Sequence, residues 1–173
     1  KSLAPEKEAV ILYGGNGTSH RYVMEPELDL KTWLWLALSA GGRFWNCSFT
    51  GMHPGATHDR RMAYHHQEAY KLVQEHSTLF ARQVPLARIA VYYSRSTRLS
   101  YQKPNPEDNR FNQSIQGLVT ALHEHHLPYT FLPDDQLNAE LLQNYDVLIL
   151  PNVRCMSEEE ITLIKEYVHR GGQ

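Results

Sequence analysis

The chain has 173 residues, of which 42% are hydrophobic and 21% charged. These ordinary globular values exclude a disordered, collagen-like or coiled-coil chain. The formal net charge is −2, from 17 Lys and Arg against 19 Asp and Glu. No excess of one sign exists to attract nucleic acid or an acidic membrane surface, so we expect neither as a partner.

Cysteine content and hydropathy argue against further classes of protein. The two cysteines, Cys47 and Cys155, are too few for a disulfide framework or a metal cluster. No apolar run reaches the length of about 18 residues that a membrane span needs. The sequence starts at Lys1 without a signal peptide, which favours a cytoplasmic location. We expect both ends to be cuts through a larger protein.

The first half has the patterns of an α/β unit, with helical spacing in two segments and extended runs between them. In chain order we predict strand 8–13, a Gly-rich turn 14–17, strand 21–24, helix 28–40, strand 43–49, a Gly/Pro/His loop and helix 62–82. Pro85 marks the expected boundary to a second unit.

The second half alternates strands and helices more regularly. We predict strand 88–93, a polar loop 94–107, helix 109–126, strand 129–132, a brief helix after Asn138, strand 146–150 and a helix that starts at Ser157. Ser157 and Glu160 form a capping box, and Gly171 supplies a left-handed stop. Such alternation indicates a parallel, doubly wound sheet. The sheet is predicted to be incomplete, because a Gly-Gly after such a helix usually leads into another strand.

Histidines and the glycine-rich turn suggest no metal or cofactor. His65 and His66 are adjacent, and the cluster at 123–126 also lacks the i, i+4 spacing of a helical zinc site. We therefore expect packed or solvated helix residues and no bound metal. The turn at 14–17 lacks the Lys-Ser/Thr of a phosphate-binding loop, so we expect no nucleotide cofactor either.

Five residues carry candidate chemistry. Glu25 follows a predicted short strand, where retaining glycoside hydrolases place a carboxylate nucleophile, although a charged helix-entry residue also fits. Phe44 and Trp45 on the next strand have faces that stack on sugar rings, or else belong to a core. Ser94 and Asn152 follow two parallel strands, at the edge where open sheets bind ligands.

Several short segments of the sequence resemble those of a known family. They are Leu38-Ser-Ala-Gly-Gly42 before strand 43–49, Gly51-Met-His-Pro-Gly55, Met62 with His65-His66, Ala87-Arg-Ile-Ala-Val-Tyr-Tyr93, Tyr145-Asp-Val-Leu-Ile-Leu-Pro151, Ser157-Glu-Glu-Glu160 and Tyr167-Val-His-Arg-Gly-Gly172. Together they resemble the end of the catalytic barrel of family 42 glycoside hydrolases (β-galactosidases), running into the trimerisation domain, which has a class I glutamine amidotransferase-like fold.

The resemblance implies a division of the chain and of its roles. Residues 1–86 would be the end of a (β/α)8 barrel, and residues 87–173 a truncated flavodoxin-like unit that mediates subunit packing in a homotrimer. Met24-Glu25 matches the family's nucleophile motif, and Trp45 falls near the aromatic position of the eighth strand. The substrate would be a carbohydrate. The general acid would lie on an earlier strand, so this chain alone would not be a complete enzyme.

Two other functions remain open. One is a non-catalytic amidotransferase-like module for interaction or ligand binding, which predicts a pocket at Ser94 and Asn152. The other is a hydrolase that uses Cys155, which predicts an exposed thiol near a histidine, although the flanks Val153 and Ser157 do not suit a nucleophile elbow. The glycosidase hypothesis predicts instead that Glu25 and Trp45 share one concave surface.

Overall fold

The computed structural model describes residues 7–14, 25–47, 61–81, 83 and 86–173. The predicted strand 21–24, most of the predicted turn 14–17, the end of strand 43–49 and the loop that follows it lie outside these residues. Backbone contacts divide the chain into two compact units, with the boundary between Val84 and Pro85. Each unit is described by itself.

The first unit is a parallel strand–helix–strand arrangement followed by helices. Its elements are β1 (Val10–Gly14), α1 (Glu27–Ser39), β2 (Arg43–Cys47), α2 (Arg61–Glu75) and α3 (Ser77–Ala81). β1 and β2 pair in parallel, from Val10 opposite Arg43 to Gly14 opposite Cys47. The single helix predicted for 62–82 was wrong, since the chain forms two helices, α2 and α3, there.

One face of this small sheet packs against the helices. Tyr13 on β1 joins Leu30, Leu34 and Leu38 of α1 and Ala69 of α2 in a buried cluster. Among the β1 residues whose burial is described, only Tyr13 is buried, because alternate side chains point to the opposite face and Ile11 is 38% exposed.

The opposite face of the sheet is bare and apolar. Val10, Leu12 and Trp45 are 55%, 54% and 62% exposed. Leu12 and Trp45 are register partners, so they lie side by side on one face. A large indole and a leucine left open to water indicate a surface that other residues normally cover.

The second unit is a parallel sheet with helices. Its elements are β3 (Ile89–Tyr93), α4 (Arg95–Gln102), α5 (Arg110–Glu124), β4 (Tyr129–Pro133), α6 (Ala139–Leu142), β5 (Val147–Ile149) and α7 (Glu158–His169). The strand order is β4-β3-β5, and both pairs are parallel. The chain is thus a mixed α/β protein built on parallel sheets, as the sequence predicted, and its interpretation as a barrel end stays a prediction.

The central strand β3 carries the core of this unit. Ala90 and Tyr92 are fully buried and pack with Leu132, Leu148 and Tyr167. On the outer side of β5, the amide of Leu148 donates to the carbonyl of Gln173 at 2.7 Å, and the amide of Gln173 donates to Asp146 at 3.0 Å. The backbone after α7 therefore lies against the edge of β5, where the sequence predicted a further strand.

The polar loop predicted for 94–107 was wrong at its start, where α4 forms. Ser94 caps this helix, because its hydroxyl accepts the amide of Thr97 at 3.0 Å. Thr97 and Tyr101, one turn apart, bury the inner face of the helix. Only these two of its eight residues are buried, so its polar composition resembled that of a loop.

Two searches of the described part of the chain complete the fold. None of its helices combines the length and hydropathy needed to cross a membrane. Among the same residues, no group of three or more His, Cys, Asp or Glu side chains converges so that it could hold a metal ion.

Candidate functional site

The carboxyl ends of β1 and β2 form the first candidate site. Because the two strands are parallel, Tyr13 and Asn46 near their ends lie side by side. Trp45 precedes Asn46 and faces the bare side of the sheet with 62% of its surface exposed. An exposed indole on this face, two residues before the end of β2, provides a flat apolar surface on which a ligand ring can stack.

Phe44 occupies the other face of β2. Its ring packs against Tyr70 of α2, with 5.0 Å between the ring centroids, and it borders the buried cluster of the first unit. The two aromatic residues that the sequence paired as candidates therefore do not share a surface. Trp45 faces outward, whereas Phe44 contributes to packing between sheet and helices.

Glu25 is partly buried and comes just before Pro26, which precedes the first turn of α1. Its neighbour Glu27 forms ion pairs with Lys31 and, at 3.1 Å, with His65 of α2. The next residue, His66, bonds to Tyr13 at the end of β1. These contacts bring the start of α1 to the carboxyl edge of the strands, near Tyr13 and Asn46.

The Glu27 carboxylate is held ionised by its neighbours. The hydrogen bond and charge of Lys31 lower the pKa of Glu27, and His65 adds to the effect. His65 and His66, adjacent in sequence, thus have different surroundings. His65 pairs with a carboxylate at the surface, while His66 is only 1% exposed.

A buried polar network joins α2 to both strand ends. The imidazole Nε2 of His66 lies 3.0 Å from the Tyr13 hydroxyl and 3.3 Å from the Asn46 amide nitrogen. Its Nδ1 lies 2.7 Å from the carbonyl oxygen of Met62. Since a carbonyl only accepts, Nδ1 carries the proton and Nε2 accepts from Tyr13 and Asn46. Burial raises the pKa of Tyr13, so its hydroxyl stays a donor.

The sequence did not reveal this network. It suggested only packed or solvated histidines, because nothing local distinguishes His66 from His65. The available signal was a polar residue one position before the end of each strand, Tyr13 and Asn46, on the face that packs against helices. The structure unites them with a histidine 53 residues from Tyr13.

The carboxyl ends of β3 and β5 form the second candidate site. Ser94 is fully buried, and besides capping α4 its hydroxyl donates to the Cys155 carbonyl at 3.2 Å. Asn152 has a left-handed backbone with φ of 49° and accepts a hydrogen bond from Tyr101 at 2.9 Å. The Ser94 hydroxyl and the Asn152 side-chain oxygen are therefore both engaged within the protein, while Asn152 itself is exposed.

Charged side chains cover the same edge. The guanidinium groups of Arg110 and Arg154 lie 4.8 and 4.4 Å from the centre of the Tyr101 ring. Arg110 also binds Asp108, and this hydrogen bond lowers the pKa of that carboxyl. The partly exposed Cys155 is held through its backbone, with its amide donating to the Thr97 hydroxyl at 3.0 Å.

A cavity of about 370 Å³ lies at the opposite, amino end of β5. Leu142 and Tyr145 line it from one side, and Leu163, Glu166 and Tyr167 from the other. The binding-module hypothesis predicted a pocket at Ser94 and Asn152. This cavity is at the other edge of the sheet.

The fold is similar to that of a known enzyme. α-L-Fucosidase isoenzyme 2 from Paenibacillus thiaminolyticus, a glycoside hydrolase, superimposes with a TM-score of 0.65 over 94% of this chain, at 18% sequence identity. The chain corresponds to 24% of the length of that enzyme. No protein-family model and no curated protein sequence matches it. The likeness establishes a shared α/β fold.

Proposed function

We propose that this chain is part of a glycoside hydrolase and carries one wall of its sugar-binding site. The observation that carries the proposal is the exposed indole of Trp45, on the bare face of two parallel strands and two residues before the end of β2, in a fold shared with a segment of a fucosidase. Enzymes with a (β/α)8 barrel bind their substrates at that edge.

The bare sheet face supports a barrel setting for the first unit. Leu12 and Trp45 face away from α1 and α2, as interior residues of a barrel do, while Tyr13 and Phe44 face the helices. Further strands would cover Val10, nearer the amino end of β1, and leave residues nearer the carboxyl edge open to substrate. Most of the barrel would then be supplied by other parts of the polypeptide.

Within this proposal Glu25 is the nucleophile. Its carboxylate would attack the anomeric carbon and form a glycosyl ester while the bond to the leaving oxygen breaks. A second carboxyl group about 5 Å away would protonate that oxygen and later activate the water that hydrolyses the ester. The approach of the start of α1 to the strand ends, through Glu27 and His65, supports a location near Trp45.

The finer assignment follows the resemblance to family 42. On that basis the substrate is a β-galactoside, and the second unit serves subunit packing in a trimer. The full burial of Ser94, whose hydroxyl bonds to the Cys155 carbonyl, argues against ligand binding by that side chain. Light scattering on the native protein tests the trimer, and a monomer would overturn it.

The activity is tested on the native polypeptide that contains this chain, with its length first established by intact mass spectrometry. Aryl β-D-galactosides and aryl α-L-fucosides are compared as substrates. We expect Glu25→Gln to lower kcat by about 10²-fold or more. Asp29→Asn is the matched control, since Asp29 is an exposed carboxylate in the first turn of the same helix, and it should keep nearly full activity.

The role of Glu25 and the glycosidase activity are contradicted by different results. If Glu25→Gln turns over substrate like the native protein, Glu25 is not the nucleophile. If the native protein hydrolyses no glycoside, the enzyme proposal falls and a non-catalytic module replaces it. Turnover of fucosides but not of galactosides would retain the enzyme and overturn the family 42 substrate.

A further inference from the structure

Three elements of the first unit meet at one buried imidazole. Tyr13 and Asn46 are register partners, each one residue before the end of its strand, and both bond to Nε2 of His66 on α2. The Met62 carbonyl, one turn earlier on the same helix, holds the other ring nitrogen. The ring therefore has a fixed orientation and a fixed tautomer.

We propose that His66 is a positioning residue, which clamps the carboxyl ends of β1 and β2 and thereby fixes Trp45. Asn46 follows Trp45 directly, so its hydrogen bond to His66 holds the backbone from which the indole projects on the opposite face. The consequence for substrate binding rests on the proposed function. The clamp itself is independent of it.

The two hydrogen-bond donors, Tyr13 and Asn46, require an acceptor at the position of His66 Nε2. Nε2 offers one acceptor to two donors, and a flipped Asn46 amide would set an oxygen against that lone pair. Within the described residues Asn46 Oδ1 has no hydrogen-bond partner, so no competing bond from that part of the chain draws the amide away. Removal of the imidazole would leave the Tyr13 hydroxyl and the Asn46 amide unsatisfied in a buried space. We expect the strand ends then to adopt other arrangements.

The test monitors the surroundings of Trp45 by fluorine NMR and needs no substrate. It uses the 173-residue chain, in which Trp33→Phe and Trp35→Phe, at exposed positions of α1, leave Trp45 as the single tryptophan, and this residue is then labelled as fluorotryptophan. We expect one sharp fluorine resonance in this background. His66→Leu should shift it or split it, whereas His66→Gln should restore it, because the Gln Oε1 accepts where Nε2 did. His65→Leu is the matched control and should leave the resonance in place.

A milder variant keeps the test informative if His66→Leu does not fold. Tyr13→Phe removes one donor and keeps the ring, and circular dichroism checks that each variant folds. The proposal is overturned if the Trp45 resonance is unchanged in both folded His66→Leu and Tyr13→Phe, or if His66→Gln does not restore it. If the glycosidase activity holds, His66→Leu should raise KM about tenfold with a smaller effect on kcat. Loss of the activity proposal leaves the fluorine result standing.

Discussion

Two consecutive glycines after α7 are needed for different physical reasons. Gly171 has a φ of +98°, a left-handed conformation that other residues adopt at a cost, and no atom lies within 4 Å of where its Cβ would be. Gly172 instead lies against the ring of Tyr167, where a Cβ would approach ring atoms to 2.2 Å. Conformation requires the first glycine, and packing requires the second.

Gly172→Ala should therefore destabilise the protein. Because its methyl group would overlap the buried Tyr167 ring, we expect a loss of about 1–3 kcal/mol in the free energy of unfolding, measured by urea denaturation. Gly117→Ala is the control, since Gly117 is inside α5 with no atom within 4 Å of its Cβ position. There alanine should stabilise the helix by about 0.5–1 kcal/mol. Equal effects of the two variants would contradict the packing argument.

The sequence predicted where the candidate residues lie along the strands better than it predicted what their side chains contact. Trp45 is exposed, as a ligand-stacking residue requires, but Phe44 beside it packs on the opposite face. Ser94 follows a strand as predicted, yet its hydroxyl serves a helix cap and the Cys155 carbonyl. Residue type and spacing located these side chains along the chain. Only long-range contacts determined what each hydroxyl and ring touches.

At the scale of elements, α7 is the helix whose ends are best explained locally. The Ser157 hydroxyl accepts the amide of Glu160 at 3.2 Å, and the Glu160 carboxylate accepts the amide of Ser157 at 2.6 Å. The predicted capping box is confirmed. Glu160 also accepts a hydrogen bond from Tyr92 at 2.8 Å, so the cap anchors the helix to the central strand.

Ser157→Ala should weaken α7. Loss of the cap leaves a helix amide without its partner, and we expect the free energy of unfolding to fall by about 1 kcal/mol. Thr162→Ala removes a hydroxyl from the same helix, where it donates to the Glu158 carbonyl at an exposed position, and should be neutral or slightly stabilising. Thermal unfolding of the two variants distinguishes these effects. A larger loss in Thr162→Ala would refute the capping account.

Element boundaries show which signals are local. Asn138 caps α6 as predicted, with its side chain accepting the Leu141 amide at 2.9 Å. The same kind of cap at Ser94 went unrecognised, because the two prolines that follow α4 and its polar residues together resemble a loop. Its buried face depends on contacts with the loop after β5, where Thr97 bonds to Cys155, 58 residues away.

At the scale of the whole molecule, buried phenols occur in both units. Burial is the main cause that raises the pKa of six tyrosines, Tyr13, Tyr70, Tyr92, Tyr129, Tyr145 and Tyr167. In Tyr92 the hydrogen bond and charge of Glu160 raise the pKa further. Each of these groups holds its proton more tightly in the folded protein than in the unfolded chain.

The protein should consequently lose stability in alkali. A raised pKa contributes stability that is complete below the ordinary tyrosine value near 10 and is lost as the pH rises beyond it, because the unfolded chain ionises first. We expect the urea midpoint to fall between about pH 9 and pH 11. The urea midpoint of Tyr92→Phe should fall less steeply with pH than that of the native protein. The midpoint of Tyr64→Phe, at a position 73% exposed, should follow that of the native protein. An unchanged midpoint across this range would contradict the prediction.

The sequence by itself determined the order of the described strands, the parallel α/β class, the cap at Ser157 and the glycine stop at Gly171, but it missed α4 and the break between α2 and α3. These features depend on residues within a few positions of one another, so periodicity and side-chain chemistry suffice to predict them. The tertiary structure decided which aromatic of β2 faces outward, and that His66 joins Tyr13 and Asn46. Those outcomes depend on packing between segments distant in the chain, and no local pattern encodes which face of a strand meets a helix.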